Sequence, residues 1–181
     1  MTERAGATER AGDRELLREA IALAARCPPS STFRVGAVVV DAAGGVLARG
    51  WSGRRQPADH AEEAALAELV DDPRVRGGTI FSSLEPCSVR KSRVTSCTRH
   101  ILDAGLARVV YAWREPALFV DCEGDELLRA AGLDVVELPD LAPLVRRENA
   151  HLPGVDGDGS APNRIPPGAE PLGGAADHCG M

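Results

Sequence analysis

The sequence predicts an α/β protein, a three-layer α/β/α domain on a five-stranded mixed sheet with helices on both faces. Three observations lead there. Hydrophobic spacing alternates along the chain between a helical repeat and short runs rich in β-branched residues. A hairpin signal stands early in the chain. The resulting order, α-β-β-α-β-α-β-α-β-α, favours a mixed sheet covered on both sides.

The elements follow in order. "DRELLREAIALAARC" puts Leu16, Leu17, Ala20, Ile21, Ala24 and Ala25 on one face of a helix, with Asp13 as its N-cap. "RVGAVVVD" and "GVLARGWS" read as two strands joined at Ala42-Ala43-Gly44. "HAEEAALAELV" is an Ala-rich helix and "GGTIFSSL" a strand. "SCTRHILDAGL" is a short helix ending at Gly105, followed by the strand "ARVVYAW". "EGDELLRAAGL", "DVVEL" and "LAPLVRRENAHL" complete the set as helix, strand and closing helix. Residues 1–12 are expected to fray, 13–151 to form the domain, and the Gly/Pro/Ala-rich 152–181 to be a disordered tail.

The net charge of −6 disfavours a broad electrostatic grip on nucleic acid or an anionic membrane. Aromatic residues, at 3%, are too few for a base-stacking platform. No apolar run approaches the ~18 residues of a membrane helix. No secretory signal is expected at the N-terminus, so the expected address is the cytoplasm. There thiols stay reduced, and clustered cysteines point to metal or catalysis before disulfides.

Such a cluster exists. "DHAEEAAL" places His60 and Glu62 at a helix start, "EPC" places Cys87 after a strand, and Cys97 opens the next helix. One imidazole and two thiolates make three zinc ligands and leave a fourth position for water, as catalytic zinc requires. Zinc lowers the pKa of bound water to about 7, and Glu62, two residues from His60, can shuttle the proton without ligating. A closed structural zinc would need a fourth ligand, for which Cys122 or His100 are candidates. Cys27, Cys122 and Cys179 show no ligand spacing, and His151 and His178 suggest no role. His60-Ala61-Glu62 and Pro86-Cys87 match the zinc-deaminase signature, although nine residues, not two, separate Cys87 from Cys97. Arg90, Lys91 and Arg93 lie between the two cysteines. They are a solvated loop or a phosphate clamp beside the site.

On "HAEEAALAEL", "SSLEPCSVRKSRVTSCTRHILDAGLARVVYAW" and "EGDELLRAAGLDVVELP" the chain resembles the cytidine-deaminase-like superfamily over nearly all of 13–151. Within it the chain looks most like the deaminase half of the bifunctional riboflavin-biosynthesis deaminase/reductases, with the tail where the reductase half would be. "STFRVGAVVV" instead resembles the Ser-x-Phe-x-Val-Gly-Ala segment of free cytidine deaminases. The resemblance implies hydrolytic deamination of an aminopyrimidine. The substrate would be a ribosylamino-pyrimidine phosphate, with a cytidine or deoxycytidine species as the alternative. It also implies a homodimer or higher homo-oligomer, to which the apolar Leu127 and Leu128 would contribute. A nucleic-acid-editing deaminase and a silent zinc-binding protein are the other classes. Candidate substrate contacts are Phe33, Arg34, Ser52, Glu85, Arg90, Lys91 and Arg93. For Phe33 core packing is the favoured job over a substrate contact, and Glu85, before Pro86, can equally be structural.

Overall fold

The computed structural model describes residues 2–90, 92–115 and 122–155, with side chains from Ala11 onward. Lys91, Cys179 and His178 lie outside the described residues, as does the expected tail from 156 on.

Five strands form one sheet in the order β2-β1-β3-β4-β5. The hairpin pairs β1 (Gly36–Val40) with β2 (Val46–Trp51), with a register shift between Val39 and Val40. The turn closes on Asp41, whose Oδ1 accepts from the backbone N–H of Ala43 and of Gly45. β1 also runs antiparallel to β3 (Thr79–Leu84). β3, β4 (Arg108–Trp113) and β5 (Asp134–Glu137) are mutually parallel neighbours.

Alternation along each strand divides the core between two faces. Val38, Val40, Phe81, Val110 and Ala112 pack against α1 (Thr2–Leu23), Leu141 and Val145. Val145 lies on the closing helix, Ala142–Glu148. Ala37, Val39, Ile80, Val109 and Tyr111 face the other way. They meet α2 (Ala61–Leu66), α3 (Cys97–Ala104) and α4 (Gly124–Ala130), so the three-layer expectation holds. The closing helix is α5 in chain order. Tyr111 anchors the second face by donating its hydroxyl to Asp125 of α4 at 2.8 Å.

Three details differ from the sequence reading. α1 begins at Thr2, so Asp13 is inside the helix rather than its N-cap. Asp13 is buried there because Arg108 of β4 reaches it with two hydrogen bonds of 2.7 Å, a better partner than a helix-end N–H. The folded core also runs past residue 151. Leu152 and Val155 are 5% and 2% exposed, because a Gly/Pro-rich composition does not prevent single apolar residues from docking. Of the two leucines expected on an uncovered face, Leu128 is fully buried and Leu127 is exposed. No helix among the described residues is long and apolar enough to cross a membrane.

Close approach of β2 to α2 fixes the site. Ala61, Ala64 and Ala65 are fully buried, and a Cβ at Gly50 would lie 2.1 Å from the Ala61 carbonyl oxygen. Only glycine allows that spacing. Gly12, inside α1, has nothing within 4 Å of a would-be Cβ. Gly50→Ala should therefore cost at least the ~1–3 kcal/mol of core overpacking. Gly12→Ala should gain up to about 1 kcal/mol of helix propensity. Urea titration of both variants checks the opposite signs.

Candidate metal centre and active site

Three elements deliver the cluster. His60 is the N-cap residue of α2, with extended backbone, and its side chain makes no capping bond. Its Nδ1 lies 3.5 Å from Cys87 Sγ and 3.4 Å from Cys97 Sγ. Cys87 follows the C-terminal end of β3, and Cys97 is the first residue of α3. Ser96 caps α3 by accepting from the Arg99 N–H. The α3 N-terminus is tied to the first cysteine: the Thr98 N–H donates to the Cys87 carbonyl, and the Cys97 N–H to Cys87 Sγ at 3.4 Å. These N–H groups favour negative sulfur.

The donor set fits zinc. The three ligand atoms lie within 4.8 Å of one another. Tetrahedral zinc with bonds of about 2.3 Å to sulfur and 2.0–2.1 Å to nitrogen needs nitrogen–sulfur separations of about 3.6 Å. The observed values, 3.5 and 3.4 Å, need only small adjustment. The Cys87 thiol is pulled down to about 4, first by its hydrogen bond with Cys97 and then by His60, against the effect of burial. The same bond, with burial, pushes Cys97 well up. A sulfur held this far toward its thiolate is one that a divalent cation can claim. Neither proposed fourth ligand joins the group: Cys122 contacts the Pro86 carbonyl, and His100 lines a different cavity beyond α2 and α3.

Glu62 stands beside the cluster and is 3% exposed. The Ser82 hydroxyl donates to its Oε1 at 2.8 Å, and the Cys97 thiol to its Oε2 at 3.3 Å. Burial, above all, pushes its carboxyl upward, against the pull of His60. Ser82 was not read as a site residue. It lies in an apolar strand, and only its shared face with α2 reveals its role.

A cavity of about 350 Å³ opens over these groups. Phe33, Arg34, Ser52, Glu85 and Arg90 line it together with His60, Glu62 and Cys87. Phe33 does both jobs considered for it: it is buried, packs edge-on to Trp113 with centroids 5.9 Å apart, and forms part of the wall. Ser52 Oγ accepts from the Val35 N–H. Glu85 is held on both oxygens, accepting from the Asp125 N–H at 2.9 Å and the Glu115 N–H at 3.2 Å. It braces the α4 N-terminus. Gly124 permits this, since a Cβ there would lie 1.9 Å from the Pro86 carbonyl oxygen. Glu115, which sequence reasoning missed, also lines the cavity, and burial pushes its carboxyl up to about 7.

The basic loop is arranged differently from a free clamp. The Arg90 side chain is 1% exposed, donating to Glu63 at 2.7 Å and to the Ala58 carbonyl at 2.5 Å. Arg93 donates to Asp59 at 2.6 Å and to Gln56, approaches Glu63, and is not part of the cavity lining. Asp59 and Glu63 flank His60 and Glu62, so the two arginines tie the inter-cysteine loop to α2. Acids beside the H-x-E motif facing a basic loop were the available signal. Arg90→Ala would leave the Ala58 carbonyl without this donor and Glu63 with Arg93 alone, 3.3 Å away. It should destabilise the fold by less than the ~3–5 kcal/mol seen for broken buried pairs, Glu63 being partly exposed and still facing a cation. Thermal unfolding of Arg90→Ala against wild type is the check.

A family model described as the cytidine and deoxycytidylate deaminase zinc-binding region matches residues 10–113. The chain is 39% identical over 127 residues to a diaminohydroxyphosphoribosylamino-pyrimidine deaminase of Schizosaccharomyces pombe, covering 68% of this chain and 31% of that protein. It is 40% identical over 76 residues to the riboflavin biosynthesis protein RibD of Synechocystis, covering 42% of this chain and 20% of that one. The chain thus spans less than a third of the length of these relatives. Among solved structures, it superposes with a TM-score of 0.66 and 29% identity on a Thermotoga maritima diaminohydroxyphosphoribosylaminopyrimidine deaminase/reductase, covering 77% of this chain and 40% of that one.

Proposed function

The chain belongs to the cytidine and deoxycytidylate deaminase family defined by that zinc-binding region, and from that premise we propose that it is a hydrolytic deaminase of an aminopyrimidine bearing a ribosylamino phosphate. The observation that carries the reading is the buried Glu62 carboxyl, 3.3 Å from Cys97 Sγ, beside a cluster of three ligands with no fourth among the described residues. His60, Cys87 and Cys97 would hold the zinc. When bound, it supplies a Lewis acid that brings the pKa of water to about 7.

Glu62 is the proton carrier. Ser82 fixes Oε1, and Oε2 lies on the side of the ligand cluster, 3.3 Å from Cys97 Sγ. Burial raises its proton affinity, as a group that takes and returns a proton near neutrality requires. Glu62 accepts a proton as water adds to the amine-bearing ring carbon. It delivers that proton to the ring nitrogen, takes a second proton from the added hydroxyl and gives it to the amine, and the carbon–nitrogen bond breaks to release ammonia as the ring carbonyl forms. Phe33 offers an apolar wall to the ring. The names of the relatives support the choice of substrate. The acidic net charge supports a small molecule over a nucleic acid. A homo-oligomer in the cytoplasm is part of the same reading.

Ammonia release should be measured across pyrimidine nucleosides, nucleotides and ribosylamino-pyrimidine phosphates. The last class is expected to react fastest, and a preference for cytidine or deoxycytidylate would overturn the substrate. Glu62→Gln should keep zinc and fold yet lose ~10²–10⁴-fold in turnover. A near-normal rate would assign proton transfer elsewhere.

A further inference from the structure

The cavity is lined by acids. Asp59, Glu62, Glu85 and Glu115 are on its wall, and Arg90 is bound to Glu63. Arg34 differs from these groups. It lines the cavity and makes no ion pair with a carboxylate among the described residues, and its Nε is buried without a hydrogen-bond partner. Its backbone is nevertheless held firmly. The fully buried Asn149 accepts from the Arg34 N–H at 2.7 Å, donates to the Arg34 carbonyl at 3.1 Å, and donates to the Val145 carbonyl at 3.0 Å. A residue of the closing helix thus fixes the peptide of a cavity arginine on both sides. Ser30 and Thr32, four and two residues earlier, line the same cavity with hydroxyls 2.8 Å apart.

We propose that Arg34, with the hydroxyls of Ser30 and Thr32, forms the phosphate subsite of this cavity, and that Asn149 is the residue that positions it. A half-buried guanidinium with unmet donors is suited to a phosphate monoester, which it can engage through two parallel hydrogen bonds. Hydroxyl groups on the same segment supply further donors. Arg34 is the cavity arginine with no carboxylate partner among the described residues, so its charge can counter the repulsion between the dianion and the acids on the wall. The proposal deepens the deaminase reading and rests on it for the substrate. The two described arginines of the inter-cysteine loop are paired with carboxylates, so the proposal rests on the segment before β1.

The test uses the zinc-loaded full chain with Arg34→Gln and Arg34→Lys. kcat/KM is measured for the diaminohydroxy ribosylamino-pyrimidine phosphate and for its dephosphorylated counterpart, and the binding of ribose 5-phosphate is followed by calorimetry. Arg34→Gln is expected to lower the preference for the phosphorylated substrate at least tenfold, through KM, and to weaken ribose 5-phosphate binding by a similar factor. Arg34→Lys, which keeps the charge without the fork, should recover part of both and covers a Gln variant that does not fold. Asn149→Ala should lower the same preference with less effect on kcat. Equal losses on both substrates, or unchanged ribose 5-phosphate binding, would overturn the subsite and leave the deaminase reading standing. If no pyrimidine is turned over, that reading fails and calorimetry alone decides the subsite: binding lost in Arg34→Gln upholds it, and absent or unaltered binding overturns it.

Discussion

The first turn of α2 carries both His60 and Glu62, and everything at the site depends on where that turn is held. A helix of six residues has too few internal bonds to be stable alone. Its position comes from its neighbours. Gly50 and three buried alanines let it lie against β2, Ser82 receives Glu62 from β3, and Arg90 and Arg93 bind its outer side through Glu63 and Asp59. The same ion pairs restrain the segment between the two cysteines. One set of contacts therefore sets the distance from His60 to both sulfurs.

The sheet places the third part of the site. Cys87 leaves the C-terminal end of β3, where that strand and β4 run parallel, the usual location of sites in such sheets. Glu85 then joins this end to α4 and to the loop after β4. The cavity has a rigid floor built from backbone-bonded groups, and its wall before β1 is fixed by Asn149.

Much of this was legible in the sequence because the signals are local. Alternating periods give the element order, and His60-x-Glu62 with Pro86-Cys87 gives the metal-binding chemistry. What was not legible depends on distant partners. Asp13 reads as a cap until Arg108, far along the chain, is seen to reach it. Arg90 and Arg93 read as a free basic loop because their acids lie before the strand that precedes the loop. Ser82 reads as one more strand residue, and Asn149 as the end of a helix. Leu152 and Val155 sit in a segment whose composition hides two apolar anchors.

The central claim is a metal bound by one imidazole and two thiolates, with its fourth position open to water. X-ray absorption at the zinc edge of the purified protein tests it most directly. Two sulfurs at about 2.3 Å and two lighter atoms at about 2.0–2.1 Å, one of them from imidazole, are expected. In Cys97→Ser one sulfur should be lost. A shell of four sulfurs, or one unchanged in that variant, would contradict it.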